Sequence, residues 1–285
     1  MRRGAILVLP TVTAGQQGPV AAWVSTAGWA GAFARRLGES WIVTPEGPVT
    51  VAEARHRASL PALGSTAVRH RRVPTVLKTA VKDLRDHRRA AAFRVPTTGP
   101  WSEADVAFVW QRHELFHAAG IELAAALGVP SVVFVPAPLV WQARQWGVHR
   151  PGWSRWAETV GEARPLRRAD LVACGTDAVA EQVARLGVVE SRLVVTPTGA
   201  DPESRSEAER AAARAATRTR LGLHDAFVVG WVGSFRRFHA LDLVVPAVAE
   251  VPGAALLLVG DGPERRRVEA EAAARGVRTV TTGTV

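Results

Sequence analysis

Short, unbroken apolar runs alternate with longer amphipathic stretches along most of the chain. The first run, Ala5–Leu9, reads as a buried strand, followed by a glycine-containing loop at Thr11–Pro19 and a helix reaching about Leu37. Trp41–Thr44, Val106–Trp110, Ser131–Val135, Leu171–Cys174 and Leu193–Val195 read as further strands, with helices near Ala118–Leu127 and Ala178–Leu186. Phe227–Val232, Ala255–Val259 and Thr279–Thr281 repeat the pattern, separated by helices that start at Leu241 and Glu264. Strands that are apolar without alternation, with helices between them, belong to parallel sheets covered on both faces. The expected class is α/β, built from Rossmann-type, doubly wound parallel sheets.

The rhythm lapses between Pro197 and Asp225, where the sequence is polar, charged and alanine-rich. This predicts a first domain over 1–197, a linker and connecting helix over 198–226, and a second domain over 227–285. The second has three strands and two helices, half of an ordinary nucleotide-binding Rossmann unit. Such a half-sheet leaves an apolar face and a sheet edge to be covered by a protein partner or another chain.

Composition narrows the classes. Apolar residues make up 47% and charged residues 22%, which excludes general disorder. Lys occurs only at Lys78 and Lys82, Tyr and Asn are absent, and Arg and Ala dominate, the pattern of a GC-rich bacterial coding sequence. A net charge of +10 is compatible with nucleic acid, an anionic membrane surface or a phosphorylated small molecule as partner, and equally with plain arginine-rich composition. The single cysteine, Cys174, lies in an apolar run, so it reads as a buried thiol in a reducing, cytoplasmic setting. The opening MRRGAILVLP starts like a signal peptide, but its apolar run stops at Pro10, short of the roughly 7–15 residues required. With no stretch near the ~18 apolar residues of a membrane span, the expectation is a soluble protein, or one peripheral at the inner face of the plasma membrane.

Much of the charge is local. Nine Lys and Arg lie between Arg69 and Arg94, against Asp83 and Asp86. Val73–Phe93 reads as one amphipathic helix whose apolar residues Val76, Leu77, Ala80, Val81 and Leu84 are expected to face the core. Lys78, Lys82, Arg85 and Arg89 line another face, with Arg88 beside them. That stripe is either a solvated basic face or a dock for an anionic membrane or lipid-phosphate acceptor. Nucleic acid is not expected, because neither a helix-turn-helix signature nor aromatic-basic interleaving is present.

Three segments carry candidate chemistry. FVVGWVGSFRRFHALD (227–242) is a strand running into a glycine turn, basic residues and a helix start. A turn of this kind offers backbone N–H groups and a positive helix end to a phosphate. Arg236, Arg237 and His239 add charge-assisted donors for a diphosphate. LLLVGDGPE (256–264) is a strand followed at once by a tight turn, and VVTPTGAD (194–201) is a strand ending in a glycine turn. Each is weak alone; their order and spacing together are specific.

In that order the segments resemble the retaining glycosyltransferases of family 4, which have the GT-B fold of paired Rossmann domains. RADLVACGTDAVAEQVARLG and AFVWQRHELFHAAGIELAAALGVPSVVFVPAPLV match the same family, so the resemblance spans most of 105–285. It implies a hexosyltransferase that moves a sugar from a nucleotide-diphosphate donor to a lipid, glycan or small-molecule acceptor, with retention and without an obligatory metal or other cofactor. The donor-binding residues it implies are Gly15, Gly233, Ser234, Arg236, Arg237, His239, Gly260, Asp261 and Gly262, in a cleft between the domains. His113, in the WQRHELFH loop, is the candidate catalytic residue on the acceptor side. The chain departs from the family pattern at Ser234 (Arg in the family), His239-Ala240 (Lys-Gly), Thr198 (Asn) and Pro136 (His). It also stops before the family's Glu-x7-Glu element, which suggests a truncated or split gene product with donor binding crippled. The alternative reading is a non-catalytic remnant acting as a binding or scaffold protein. An unrelated Rossmann protein is disfavoured, since no Gly-x-Gly-x-x-Gly follows the first strand.

Overall fold

The computed structural model describes residues 3–12, 21–60, 74–197, 199 and 205–284. Gly15, Arg69, Arg71, Arg72 and Thr198 lie outside the described residues. The chain divides into two compact units, Met1–Asp201 and Pro202–Val285.

The first unit runs β1 (Arg3–Val8), α1 (Ala21–Leu37), β2 (Gly38–Thr44), β3 (Gly47–Val49), α2 (Val51–Ser59), α3 (Thr75–Ala92), β4 (Asp105–Arg112), α4 (Ala119–Leu127), β5 (Ser131–Val135) and α5 (Leu139–Gln145). It continues with α6 (Ser154–Trp156), a π-helical stretch at Ala157–Ala163, α7 (Arg164–Arg168), β6 (Leu171–Cys174), α8 (Asp177–Arg185) and β7 (Leu193–Val195). Its seven strands form one sheet in the order β3-β2-β1-β4-β5-β6-β7. All neighbours pair in parallel except the β2–β3 hairpin, which is antiparallel.

Central strand β1 shows why its run is apolar at every position. The pleat sends successive side chains to opposite faces. Leu7 and Leu9 pack with Trp23, Ala27, Trp110 and Phe134 on the α1 side, while Ile6 and Val8 pack with Val109, Leu123 and Ala124 on the α4 side. A third cluster joins Val133, Val135, Leu166, Val172, Cys174 and Val183. Complete burial of each such side chain contributes about 1.5–3 kcal/mol. Cys174 is buried, and burial pushes its thiol up to about 11.

Helix α3 corrects the sequence expectation. Its buried side chains are Thr79 and Asp83, whereas Val76, Leu77, Val81 and Leu84 are 40%, 54%, 60% and 49% exposed. The reason is a polar anchor. Arg150 donates to both carboxylate oxygens of Asp83, Nε to Oδ2 at 2.6 Å and Nη2 to Oδ1 at 3.1 Å, and Trp153 Nε1 donates to Oδ2 at 2.9 Å. One turn along, the His87 ring meets Phe116 and Trp156 edge-on at 5.1 and 5.3 Å. A buried charge must be paired, so this side of the helix turns inward and the apolar ridge turns out.

The second unit comprises α9 (Glu207–Leu221), β8 (Phe227–Val232), α10 (Leu241–Ala249), β9 (Ala254–Val259), α11 (Arg265–Ala274) and β10 (Arg278–Gly283), with a parallel sheet ordered β10-β9-β8. Helix α9, which reads as linker in the sequence, groups with this unit. Ser206 and Glu209 form a complete capping box at its start, and Gly222 ends it at φ +63°. Arg218 then ties the helix to the sheet by donating to the carbonyls of Leu223 and Ala226 at 2.7 and 3.0 Å. The core gathers Phe235, Leu241, Val245, Leu256, Leu258 and Val268. Ala240 caps α10 at φ +51°, a left-handed conformation that costs a non-glycine residue about 1–2 kcal/mol.

Two stability changes are expected. Asp83→Ala strands Arg150 without its counter-charge and should lower unfolding free energy by about 3–5 kcal/mol in a denaturant titration. Ala240→Gly relieves the left-handed strain and should raise it by about 0.5–1 kcal/mol, read the same way.

Candidate functional site

In a doubly wound sheet, ligands bind beyond the carboxyl ends of the strands, where the strand order reverses. In the first unit that place lies between β1 and β4, because the chain goes from β1 outward to β2 and β3 and later returns on the other side. A cavity of about 790 Å³ occupies it. Pro10, Thr11 and Val12 after β1, Pro45 after β2, and Glu114 and His117 after β4 line it, together with Lys82, Arg85, Asp86 and Arg89 from α3 and with Arg94. The rotation that buries Asp83 therefore also aims the basic stripe at this cavity.

The loop after β4 is held rigidly. Phe116 adopts φ +73°, unusual for a side chain of its size. Its amide donates to Gly161 O at 2.8 Å, and its ring lies where any Cβ at Gly161 would collide, at 2.9 Å. His113 and His117 have opposite fates in this loop. His113 is completely buried, its Nε2 lies 3.2 Å from Glu162 Oε1, and it is not among the residues lining the cavity. Glu162 in turn accepts from the amides of Leu139 and, at 3.2 Å, Val140, closing the start of α5. His113, expected to be catalytic, is thus buried beside Glu162 and set back from the cavity wall.

His117 is the residue that sequence reading missed. It lines the cavity, and its Nδ1 is buried with no hydrogen-bond partner among the described residues. Burial lowers its pKa to about 4, with Asp86 pulling upward and His113 downward, so it is neutral near pH 7. Both histidines sit in one short motif after one strand. What separates them is Glu162, 49 residues downstream of His113, a pairing no local pattern shows. Glu114 is also raised, chiefly by burial, with Arg112 3.6 Å away working against the shift.

The second unit brings its candidate residues to the carboxyl ends of β8 and β9. Ser234 Oγ lies 3.4 Å from His239 Nε2, and the His239 ring packs on Trp231 at 4.7 Å. Arg236 and Arg237 are exposed beside them, just before α10. Gly260, Asp261 and Gly262 behave differently from the expectation that they face a donor. The Gly260 amide donates to Gly283 O at 2.8 Å, and the Gly262 amide donates to Asp261 Oδ1 at 2.7 Å, so neither is free for a phosphate. A Cβ at Gly260 would lie 2.1 Å from Gly233 O, and one at Gly262 would lie 2.6 Å from Phe235 N. These glycines let the β9 turn press against the Gly233–Phe235 turn, which Phe235 N secures by donating to Asp261 O at 3.2 Å. They seat the turn that carries Ser234; they do not present donors themselves. Gly15 lies outside the described residues.

Comparison with known proteins agrees with this architecture. The D-inositol 3-phosphate glycosyltransferase of Mycobacterium tuberculosis is 38% identical over 107 residues, 37% of this chain and 21% of the relative; the Mycobacterium bovis protein of the same name matches equally. The aligned stretch thus spans about a fifth of the relatives' length. Among solved structures, Anabaena HepE in complex with UDP superposes with a TM-score of 0.57 at 15% identity, over 98% of this chain and 69% of that one. A glycosyltransferase from Rickettsia africae gives 0.53 at 12% identity, over 100% and 69%. Sucrose-phosphate synthase from Thermosynechococcus elongatus gives 0.52 at 17% identity, over 99% and 71%. These likenesses show the fold, two Rossmann-type units of the GT-B class. The sequence model of Glycosyltransferase Family 4 matches residues 22–204, well over half of the chain, and the chain belongs to that family.

Proposed function

We propose that this protein transfers a sugar, with retention, from a nucleotide-diphosphate donor to a phosphorylated acceptor held in the first-unit cavity. The observation that carries the reading is that cavity: it lies at the switch point of the sheet, and Lys82, Arg85, Arg89 and Arg94 converge on it. Cations on one wall suit an anionic acceptor, and the name of the mycobacterial relative, which acts on an inositol phosphate, supports the same chemistry. In this reading His117, a neutral imidazole in the cavity wall, accepts a hydrogen bond from an acceptor hydroxyl.

The donor end falls to the second unit. Arg236, Arg237 and the positive start of α10 neutralise the departing diphosphate in this reading, without an obligatory metal. The Anabaena neighbour, solved with UDP, with UDP and glucose, and with UDP-glucose, supports a nucleotide-sugar donor. A second reading, a binding protein without turnover, draws on Ser234 and His239. They bond to each other where the resembled family carries cations.

The two readings separate in one assay. The full chain is incubated with labelled nucleotide hexoses and inositol phosphate, and nucleotide release and labelled product are followed. Product supports the transferase; saturable nucleotide binding without product supports the second reading; neither binding nor product overturns both. Replacing Arg236 and Arg237 together with Ala should weaken nucleotide affinity roughly ten- to a hundredfold, since a hydrogen bond to a charged group contributes about 1.5–3 kcal/mol.

His117→Gln should raise the acceptor KM while leaving nucleotide affinity unchanged. It also has a stability signature. His117 has a folded pKa near 4 against an ordinary 6.5, so the unfolded chain binds the proton first as pH falls. Stability is therefore lost as pH drops from about 6.5 to about 4, by on the order of 3 kcal/mol. The difference between wild type and His117→Gln isolates this loss from Glu114, whose raised pKa acts with the opposite sign. Parallel pH profiles for the two proteins would refute the assignment.

A further inference from the structure

Helix α9 has no buried residue along its 15 positions. A helix of that length ordinarily owes its stability to a face packed on a neighbour. The capping box and the Arg218 bonds secure its two ends and leave its length uncovered. Arg210, Arg214 and Arg218 recur at every fourth residue and so form one stripe, with Ala211 and Ala215 beside it. Arg210 pairs with Glu207, and Arg218 donates to carbonyls through Nη1. Among the described residues no acid pairs with Arg214.

The first unit carries the opposite pattern. Val179 and Val183 turn one side of α8 inward, which leaves Asp177 and Glu181, one turn apart, exposed on its outer side. With Ala180, Ala184, Glu190 and Leu193 they line a groove of about 500 Å³ along β7, the edge strand of the sheet, and Arg185 stands at one end. Among the described residues no cation pairs with Asp177, Glu181 or Glu190.

The two stripes match in spacing and are opposite in charge. With α9 laid antiparallel to α8, setting Glu181 against Arg214 also sets Asp177 against Arg218. Arg185 then falls beside Arg210, where Glu207 supplies the balancing acid. Ala180 and Ala184 on one flank and Ala211 and Ala215 on the other are too small to hold the helices apart, so the axes can reach the usual separation of about 8–10 Å. The parallel alignment is poorer, because it brings Arg185 onto Arg218 with no acid within a turn.

We infer that two copies of this chain associate by reciprocal exchange, α9 of each lying in the α8–β7 groove of the other, with Glu181 against Arg214 and Asp177 against Arg218. Both halves of the contact are present on this one sequence, so a second copy supplies what each surface lacks. The pairing is isologous, the commonest symmetry of soluble oligomers, and makes the contact twice. It stands apart from the proposed chemistry, since none of these residues lines the first-unit cavity or the β8 turn.

The test is sedimentation velocity of the full chain from about 1 to 100 μM, the range in which a small polar interface dissociates. The expected result is a monomer–dimer equilibrium that weakens with salt, as the Debye length falls from about 10 Å at 0.1 M to about 3 Å at 1 M. Glu181→Arg and Arg214→Glu each set like charges together at both contacts. Each should raise the dimer dissociation constant at least about tenfold, with circular dichroism unchanged because both side chains are exposed. Mixed in equal amounts, the two variants should recover the wild-type constant to within about threefold, because the mixed pair has one contact with its charges exchanged and one native contact. Neither a contact inside one molecule nor a folding defect recovers on mixing. A wild type that stays monomeric overturns the proposal, as does association that either variant leaves unchanged. Loss of the dimer in both variants without recovery in the mixture equally overturns it.

Discussion

The Asp83 carboxylate governs more of the first unit than its single charge suggests. It is buried, and a buried carboxylate without partners is too costly to persist, so Arg150 and Trp153 must both reach it. Meeting that requirement fixes the rotation of α3 about its own axis. From that rotation follow the direction of Lys82, Arg85 and Arg89 toward the cavity and the exposure of Leu77, Val81 and Leu84. One polar anchor thus sets both the electrostatics of the candidate acceptor site and the character of the outer surface.

The loop after β4 shows a similar division between support and contact. His113, Glu162 and the amides that open α5 form a sealed network, and Phe116 clamps the loop against the π-helical stretch at Gly161. Such a network stabilises only when its members are satisfied. It leaves His117 at the cavity wall as a neutral imidazole whose Nδ1 has no partner among the described residues. His113 shares the unpartnered Nδ1, so what sets His117 apart is its place in the cavity wall.

In the second unit the glycine-rich motif works by contact between turns. Gly260 and Gly262 are required because the backbone of Gly233 and Phe235 occupies the space a Cβ would take. Their contribution is to hold the β8 turn, with Ser234, His239, Arg236 and Arg237 displayed around it. Ala240 keeps the left-handed backbone at the entrance to α10 although it lacks the freedom of glycine.

Periodicity and motif order alone determined the α/β class, the places of the parallel strands, the burial of Cys174 and the resemblance to family 4. Each depends on which residues are neighbours along the chain, and uninterrupted apolar runs have few other ways to be buried. The rotation of α3, the exchange of roles between His113 and His117, and the seating function of Gly260 and Gly262 came only from the tertiary structure. Helical spacing in α3 says which residues share a stripe, but it does not say which stripe faces inward. Here that was settled by Arg150 and Trp153, 67 and 70 residues away from Asp83. The opposite rotation would carry Asp83 into solvent and leave Arg150 buried without its counter-charge, a cost that opposes the gain from burying Leu77 and Val81.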